Sequence, residues 1–247
     1  MLSPFLSSII GVTLVSITSL LGVGLIFLQK ERLAFVTWLL LGVSTGALFG
    51  DVFLHLLPEL VENGPWSVGI SIAALLGILC FFIVEKFIHW HHCHNTDHEH
   101  PQTFATMSVV GDALHNFIDG MIIAGSFLIS PAVGVATTIA VFLHELPQEI
   151  SDVGVLLHGG YAKTKVFLVN WGTSIISILG VCAVFILPNT ETISPYLSAF
   201  AIGSFLYIAG SDLIPMLHKE TSPKRSVYQF IALISGILLM ALLLFIE

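Results

Sequence analysis

The sequence predicts an all-α polytopic membrane protein with eight transmembrane helices. Of its 247 residues, 55% are hydrophobic and 10% are charged, and the mean hydropathy is +0.96. These values exceed those of soluble domains. A spanning helix needs about 20 mostly apolar residues, and eight segments qualify: 4–28, 33–60, 67–88, 104–129, 132–157, 166–187, 194–217 and 227–245. Because the connections are short, residues 1–247 form a single predicted transmembrane domain.

The positions of the basic residues predict how these spans are oriented. All 8 lysines and arginines lie in or beside connections from an odd-numbered span to the next span. They are Lys30, Arg32, Lys86, Lys163, Lys165, Lys219, Lys224 and Arg225. The opposite connections, 62–67, 130–131 and 188–195, contain none. By the positive-inside rule, the odd-to-even connections are cytoplasmic and both termini lie outside.

Charge and cysteine content exclude several functional classes. The net charge is -8, but much of the excess acid lies inside predicted spans, which indicates cation binding rather than an acidic surface. There is no basic patch for nucleic acid. The 3 cysteines are too widely spaced for a disulfide framework or a Cys-x-x-Cys zinc site. Span one begins close to Met1 without a basic leading region, so we expect a retained span rather than a signal peptide.

The first two spans differ in their polar content. Span one is apolar, with hydroxyl and small residues that suit close helix packing. In span two, Asp51, His55 and Glu59 recur every four residues and therefore share one helical face. This face is either a packed polar seam or part of an ion pathway in which Asp51 or His55 meets ions. Pro58 is expected to end or kink the helix.

A His-rich loop is predicted after span three, at about residues 89–103. It contains His89, His91, His92, His94, His98, His100 and Cys93. Imidazole and thiolate bind zinc-like ions, and His-rich tracts are typical of metal binding. Because the spacing defines no single tetrahedral site, the loop is either a loose cytoplasmic metal binder or a solvated connection.

Span four carries the first half of a candidate metal site. Asp112, His115 and Asp119 follow at i, i+3 and i+7, so all three can face one direction, and Asn116 adds a carbonyl oxygen. A charge at mid-membrane costs roughly 2.5 to 3.5 kcal/mol, so such a group needs a compensating partner. A divalent cation is the obvious partner.

Span five carries the second half. His144 and Gln148 are one turn apart, as are Glu145 and Glu149. Pro147 removes a backbone donor, so we expect a kink that frees carbonyl groups near the site. The two halves are expected to meet across the helix pair, with His144, Glu145 and Gln148 facing His115, Asn116 and Asp119.

The last three spans are less informative. In its cytoplasmic half, span six is polar only at Asn170, Thr173 and Ser174, which we expect to mediate packing. In span seven, the segment from Asp212 to Pro215 resembles 51–58 faintly, as the two halves of an inverted-repeat transporter would. Span eight is featureless, and we expect it to pack or to form the contact of a homodimer.

Two other functions compete with metal transport. The sequence H-E-x-x-Q at 144–148 is one residue from the zinc-protease pattern H-E-x-x-H, so one alternative is an intramembrane zinc metalloprotease-like hydrolase that uses His144 and Glu145. That chemistry needs a second histidine where this chain has Gln148. The other alternative is a metal sensor or storage protein that uses the His-rich loop alone.

At these motifs the chain resembles the ZIP (Zrt/Irt-like) divalent metal transporters. The likeness rests on HNFIDG (115–120) and HELPQEISD (144–152), and it extends to GDVFLHLLPE (50–59) and FLYIAGSDLIP (205–215). The resemblance implies metal uptake toward the cytoplasm through two adjacent metal positions. It places His115, Asp119, His144 and residue 148 at the first, and Asn116, Asp119, Glu145 and residue 148 at the second. Many relatives have histidine at 148, so Gln148 is a weaker ligand that Glu149 or Asp51 is expected to supplement.

We therefore expect a multi-pass protein of the cytoplasmic (plasma) membrane that binds the lipid bilayer and divalent metal ions. Zinc is the first expectation for the transported substrate, followed by iron, manganese or cadmium. No catalytic cofactor and no enzymatic activity are expected. The candidate metal-site residues are His115, Asn116, Asp119, His144, Glu145, Gln148, Glu149, Asp51 and His55.

Overall fold

The computed structural model describes residues 2–25, 30–62, 64–90, 101–158, 160–187 and 190–245, and all regular structure in these ranges is helical. The predicted all-α class is thus confirmed. Span one contains Pro4–Val15 and Ile17–Leu25; span two, Lys30–Asp51, π-helical Val52–Leu56 and Leu57–Glu62; span three, Val68–Trp90; span four, Pro101–Ile129; span five, Pro131–His158; span six, Lys163–Ile186; span seven, Thr190–Tyr207, π-helical Ile208–Leu213 and Ile214–Leu217; and span eight, Pro223–Leu243.

Six of these helical spans are long and apolar enough to cross a membrane, namely spans one, two, three, six, seven and eight. Spans four and five, with helices of 29 and 28 residues, are also long enough but carry the acids and imidazoles of the candidate site. Which side of the membrane the termini occupy stays a prediction from the basic residues. Of the predicted His-rich loop, 89–90 and 101–103 are helical, and 91–100 lies outside the described residues.

Spans four and five form a tight antiparallel pair. Only Ser130 separates their helices, and Pro131 occupies the first position of span five, where proline needs no hydrogen-bond acceptor. The Ser130 hydroxyl accepts a hydrogen bond from the Val133 amide at 3.2 Å and so caps the new helix. This tight turn sets the two halves of the candidate site side by side.

The packing of the helices has an internal symmetry. Span two packs against span eight as span seven packs against span three, and span four packs against span six as span five packs against span one. Glycines permit the closest approaches: a Cβ on Gly46 would lie 1.9 Å from the Leu233 carbonyl oxygen, and one on Gly203 would lie 1.9 Å from that of Ala74. These contacts are equivalent when span one corresponds to span six, span two to span seven, span three to span eight, and span four to span five.

The two π-helical segments follow the same symmetry. Val52–Leu56 ends two residues before Pro58, and Ile208–Leu213 ends two residues before Pro215. Proline lacks an N–H group and clashes with the carbonyl four residues earlier, which a wider π turn relieves. The faint sequence similarity between spans two and seven thus corresponds to a shared backbone feature.

Candidate metal centre

Four polar side chains from spans four and five meet inside the bundle. They are His115 and Asp119 from span four and His144 and Glu145 from span five, and one ligand atom from each lies within 4.8 Å of all the others. We refer to these four residues as the four-residue cluster. The two residues of span four are one turn apart, whereas the two of span five are adjacent in sequence.

The spacing of the ligand atoms suits a tetrahedral ion. The His115 Nε2 atom lies 3.3 Å from His144 Nε2, 3.7 Å from Asp119 Oδ2 and 3.5 Å from Glu145 Oε1. His144 Nε2 lies 3.2 Å from Asp119 Oδ2 and 3.9 Å from Glu145 Oε1. Metal–ligand bonds of about 2.0 to 2.1 Å place neighbouring ligands of a tetrahedral zinc about 3.4 Å apart. These five separations lie around that value.

Groups outside the cluster contact both imidazole rings. His144 Nδ1 lies 3.1 Å from the Ala140 carbonyl oxygen, which can only accept, so Nδ1 carries the proton and the Nε2 lone pair faces the cluster. Phe81 of span three meets the His115 ring edge-on at a centroid distance of 5.0 Å, and Phe205 of span seven lies 5.9 Å from the His144 ring. These aromatic rings enclose the cluster in apolar surroundings.

The two acids of the cluster are buried without hydrogen-bond donors. Asp119 is 1% exposed and Glu145 is 0% exposed, and none of their four carboxylate oxygens accepts a hydrogen bond from the described part of the chain. Asp119 Oδ2 and Glu145 Oε1 each lie within 3.9 Å of the Nε2 atoms of His115 and His144. A buried charge is costly unless it is paired or binds a metal ion. Two carboxylates with two imidazole nitrogens form a ligand set that suits zinc-like cations.

Asn116 and Gln148, predicted members of the metal site, turn toward a different acid. The Asn116 amide donates to Asp112 Oδ1 at 3.0 Å, and the Gln148 amide donates to the same oxygen at 3.4 Å. Asp112 belongs to the predicted polar face of span four, although it is not among the predicted metal ligands. Its position three residues before His115, on the same helical face, is the sequence feature that indicates its nearness to the cluster.

Glu149 faces spans one and six rather than the cluster. The Ser19 hydroxyl donates to its Oε1 atom at 2.6 Å, and the Asn170 amide donates to Oε2. Ser174 Oγ lies 2.5 Å from Ser19 Oγ and completes the group. We call these four residues the Glu149 pocket. Sequence reasoning assigned Asn170 and Ser174 to packing and did not single out Ser19, because their common neighbour is distant in sequence.

Asp51 and His55 also lie outside the four-residue cluster. Asp51 is buried; its Oδ2 atom accepts a hydrogen bond from Thr137 at 3.0 Å, while its Oδ1 atom has no hydrogen-bond partner in the described part of the chain. His55 Nε2 lies 3.0 Å from the Met240 carbonyl oxygen of span eight. A role for Asp51 or His55 in an ion pathway stays a prediction.

Pro147 frees a carbonyl that does not serve the metal site. The helix of span five continues through Pro147, and the residue four positions earlier, Leu143, loses its usual backbone donor. The Leu143 carbonyl accepts a hydrogen bond from the Ser44 hydroxyl of span two at 2.6 Å. The freed carbonyl therefore joins span five to span two, contrary to the expectation that it would lie free near the ligands.

Comparison with known proteins gives concordant matches. The sequence model of the family described as ZIP Zinc transporter matches residues 91–244. Zinc transporter ZIP13 of Pongo abelii is 30% identical over 230 residues, covering 87% of this chain and 69% of the relative. Zinc transporter ZIP13 of Homo sapiens is 28% identical over 269 residues, covering 87% and 72%. Zinc transporter ZIP4 of Homo sapiens is 36% identical over 118 residues, covering 48% and 18%.

Proposed function

The chain belongs to the ZIP zinc transporter family, and from this premise we propose that it carries a divalent cation, zinc foremost, through the four-residue cluster. The observation that supports this proposal most is the set of four buried carboxylate oxygens without donors, on Asp119 and Glu145, facing two imidazole nitrogens. The family match points to a transporter rather than an enzyme and does not favour the hydrolase alternative.

The cluster has the charge needed to receive a dication from water. Asp119 and Glu145 supply two negative charges, which balance the ion, and His115 and His144 supply nitrogen ligands without adding charge. The ion exchanges its hydration shell for four preorganised ligands, and the repulsion between the two acids is relieved in the same step. Two nitrogen and two oxygen donors suit zinc, and they also accommodate iron, manganese and cadmium.

The direction of transport follows from the predicted orientation. The membrane potential contributes about 2.3 kcal/mol per charge per 100 mV, or about 4.6 kcal/mol for a dication, and favours movement to the negative cytoplasmic side. In this proposal the ion passes Asp51 of span two, binds the cluster, and leaves toward His218 and the His-rich loop.

Uptake into proteoliposomes tests the proposal. Zinc uptake is measured for the wild type and His115→Ala, with iron, manganese and cadmium as competitors. We expect the zinc flux of the variant to be about tenfold or more below that of the wild type, because the variant lacks one of the four proposed ligands. Ser198→Ala is the matched control, since Ser198 is a buried hydroxyl of span seven outside the cluster and without a hydrogen-bond partner in the described residues. Equal fluxes for His115→Ala and the control would contradict the proposal.

Deletion of 91–100 separates transport from metal storage or sensing by the loop. The proposed path crosses the membrane through the cluster, so the deletion variant should keep substantial zinc flux. A variant that retains its fold but loses all uptake would show that the loop, rather than the cluster, carries the activity.

A further inference from the structure

Span six carries a row of exposed apolar side chains along one face of its helix. The members follow one another at steps of three or four residues, so they lie on the same side of the helix. Their exposed fractions lie between 37% and 60%, and they are Leu168, Trp171, Ile175 and Leu179. We call these four residues the span-six stripe. Because this helix is long and apolar enough to cross a membrane, the stripe is a surface for lipid chains.

Lys165 lies at the predicted cytoplasmic end of the stripe. It is exposed and precedes Leu168 by three residues, and Lys163 adds a second exposed positive charge two residues earlier. The Lys165 ammonium nitrogen lies 4.3 Å from the centre of the Tyr161 ring. A cation is attracted to the face of an aromatic ring, so this contact holds the ammonium group at the end of the stripe.

The positive charge of Lys165 remains available to a group outside the described residues. Lys165 forms no ion pair in that part of the chain, whereas Arg225, in the connection between spans seven and eight, lies 3.6 Å from Glu220. Basic side chains beside a membrane helix attract anionic lipid headgroups, which are enriched in the cytoplasmic leaflet. A basic group above an apolar stripe therefore matches the two parts of an anionic phospholipid.

We propose that Lys165, Tyr161 and the span-six stripe bind one anionic phospholipid of the cytoplasmic leaflet. The headgroup phosphate pairs with the Lys165 ammonium group, and one acyl chain follows the stripe. Trp171 lies six residues, about 9 Å, along the helix from Lys165, and its indole ring meets the lipid where headgroup and chains join. This surface is separate from the four-residue cluster, and the proposal does not depend on which ion is transported.

Span six also packs against the helix that carries half of the cluster. A Cβ on Gly120 of span four would lie 1.9 Å from the Ser177 carbonyl oxygen of span six. A Cβ on Gly180 of span six would lie 2.0 Å from the Phe117 carbonyl oxygen of span four. Because the two helices are in such close contact, a lipid bound to span six stabilises the folded bundle. Lipid binding is therefore measurable as a rise in melting temperature.

The deciding variant is Lys165→Gln, which removes the charge of an exposed side chain. The melting temperature of the purified protein in detergent is measured while dioleoyl phosphatidylglycerol or dioleoyl phosphatidylcholine is added. We expect the wild type to bind phosphatidylglycerol more tightly than phosphatidylcholine. Lys165→Gln should weaken the apparent affinity for phosphatidylglycerol about fivefold, because one lysine at the membrane surface is lost. Lys165→Arg, which keeps the charge, should retain the wild-type affinity.

Lys224→Gln is the matched control. It removes the same charge from another predicted cytoplasmic connection, next to the pair formed by Arg225 and Glu220. We expect its affinity for phosphatidylglycerol to stay within about twofold of wild type, since exposed charges farther apart than the Debye length are screened. Equal losses for Lys165→Gln and Lys224→Gln would overturn the proposal, because general surface charge would then account for the binding.

Two further results would also overturn the proposal. One is equal affinity of the wild type for the two lipids. The other is the same rise in melting temperature with inorganic phosphate alone, because the acyl chain would then have no role.

Salt dependence provides a second measurement on the same proteins. Raising the ionic strength from about 0.1 M to about 1 M shortens the Debye length from about 10 Å to about 3 Å. Phosphatidylglycerol binding by the wild type should weaken over this range, while binding by Lys165→Gln should change little. Losses of similar size in both proteins would contradict the pairing of the phosphate with Lys165.

Discussion

Glu145 and Glu149 lie one turn apart on the same helix, and both are 0% exposed, yet their surroundings are opposite. Neither oxygen of Glu145 accepts a hydrogen bond from the described residues, and the acid faces two histidine nitrogens. Both oxygens of Glu149 accept hydrogen bonds, from Ser19 and Asn170. Burial of an acid in a membrane helix is therefore not in itself a sign of metal binding. The two acids differ in the donors around them: Glu149 is hydrogen-bonded by the protein, whereas Glu145 has no donor in the described residues.

The neighbouring helices account for this contrast. At the level of Glu145, span five faces the imidazole and carboxylate of span four. One turn further along, Glu149 faces hydroxyl and amide groups of spans one and six. A residue pattern that repeats every four positions thus meets two different environments along a single helix.

The largest effect is expected from Glu145→Gln. Zinc uptake should fall about a hundredfold, because the ion loses one of two charged ligands. Without metal, the variant should be more stable to heat than wild type, since a buried carboxylate without a hydrogen-bond donor in the described residues is replaced by a neutral amide. A ligand at 100 times its Kd stabilises a protein by about 2.7 kcal/mol, so zinc should raise the melting temperature of the wild type but not of the variant. Equal zinc-dependent stabilisation of both proteins would remove Glu145 from the site.

Glu149→Ala should act mainly on stability. The substitution leaves Ser19 and Asn170 buried without their acceptor, and the free energy of unfolding in detergent should fall by about 3 kcal/mol. Zinc affinity of the folded fraction should stay within about threefold, because the cluster is untouched. The opposite result, lost zinc affinity with unchanged stability, would make Glu149 a metal ligand and erase the distinction between the two glutamates.

Ser44→Ala should have the smallest effect. It removes the donor to the Leu143 carbonyl, which lies next to His144, and should lower the free energy of unfolding by about 1 kcal/mol. Thr45→Ala is the matched control, because within the described residues the Thr45 hydroxyl donates only to the Leu41 carbonyl of its own helix. Equal destabilisation of the two variants, measured by unfolding in detergent, would show that Ser44 does not support the freed carbonyl.

Sequence reasoning predicted the helical class and the two helices whose polar residues form the four-residue cluster, but it did not resolve the partners of the other polar residues. His115, Asp119, His144 and Glu145 were all among the candidates, and the structure brings them together. Gln148 and Glu149 have the same helical spacing as His144 and Glu145, so periodicity could not separate them. Their hydrogen bonds to Asp112 and to Ser19 join residues far apart in the chain.

The sequence by itself determined the helices and the placement of ionisable groups within spans four and five. Hydropathy and helical periodicity are properties of neighbouring residues, so they can be read without knowing the packing. Only the tertiary structure decided which buried acids face histidines and which face the hydroxyl and amide groups of neighbouring helices. That choice depends on the helix that lies alongside at each depth, and the close approaches at glycines such as Gly46 and Gly203 help to fix it.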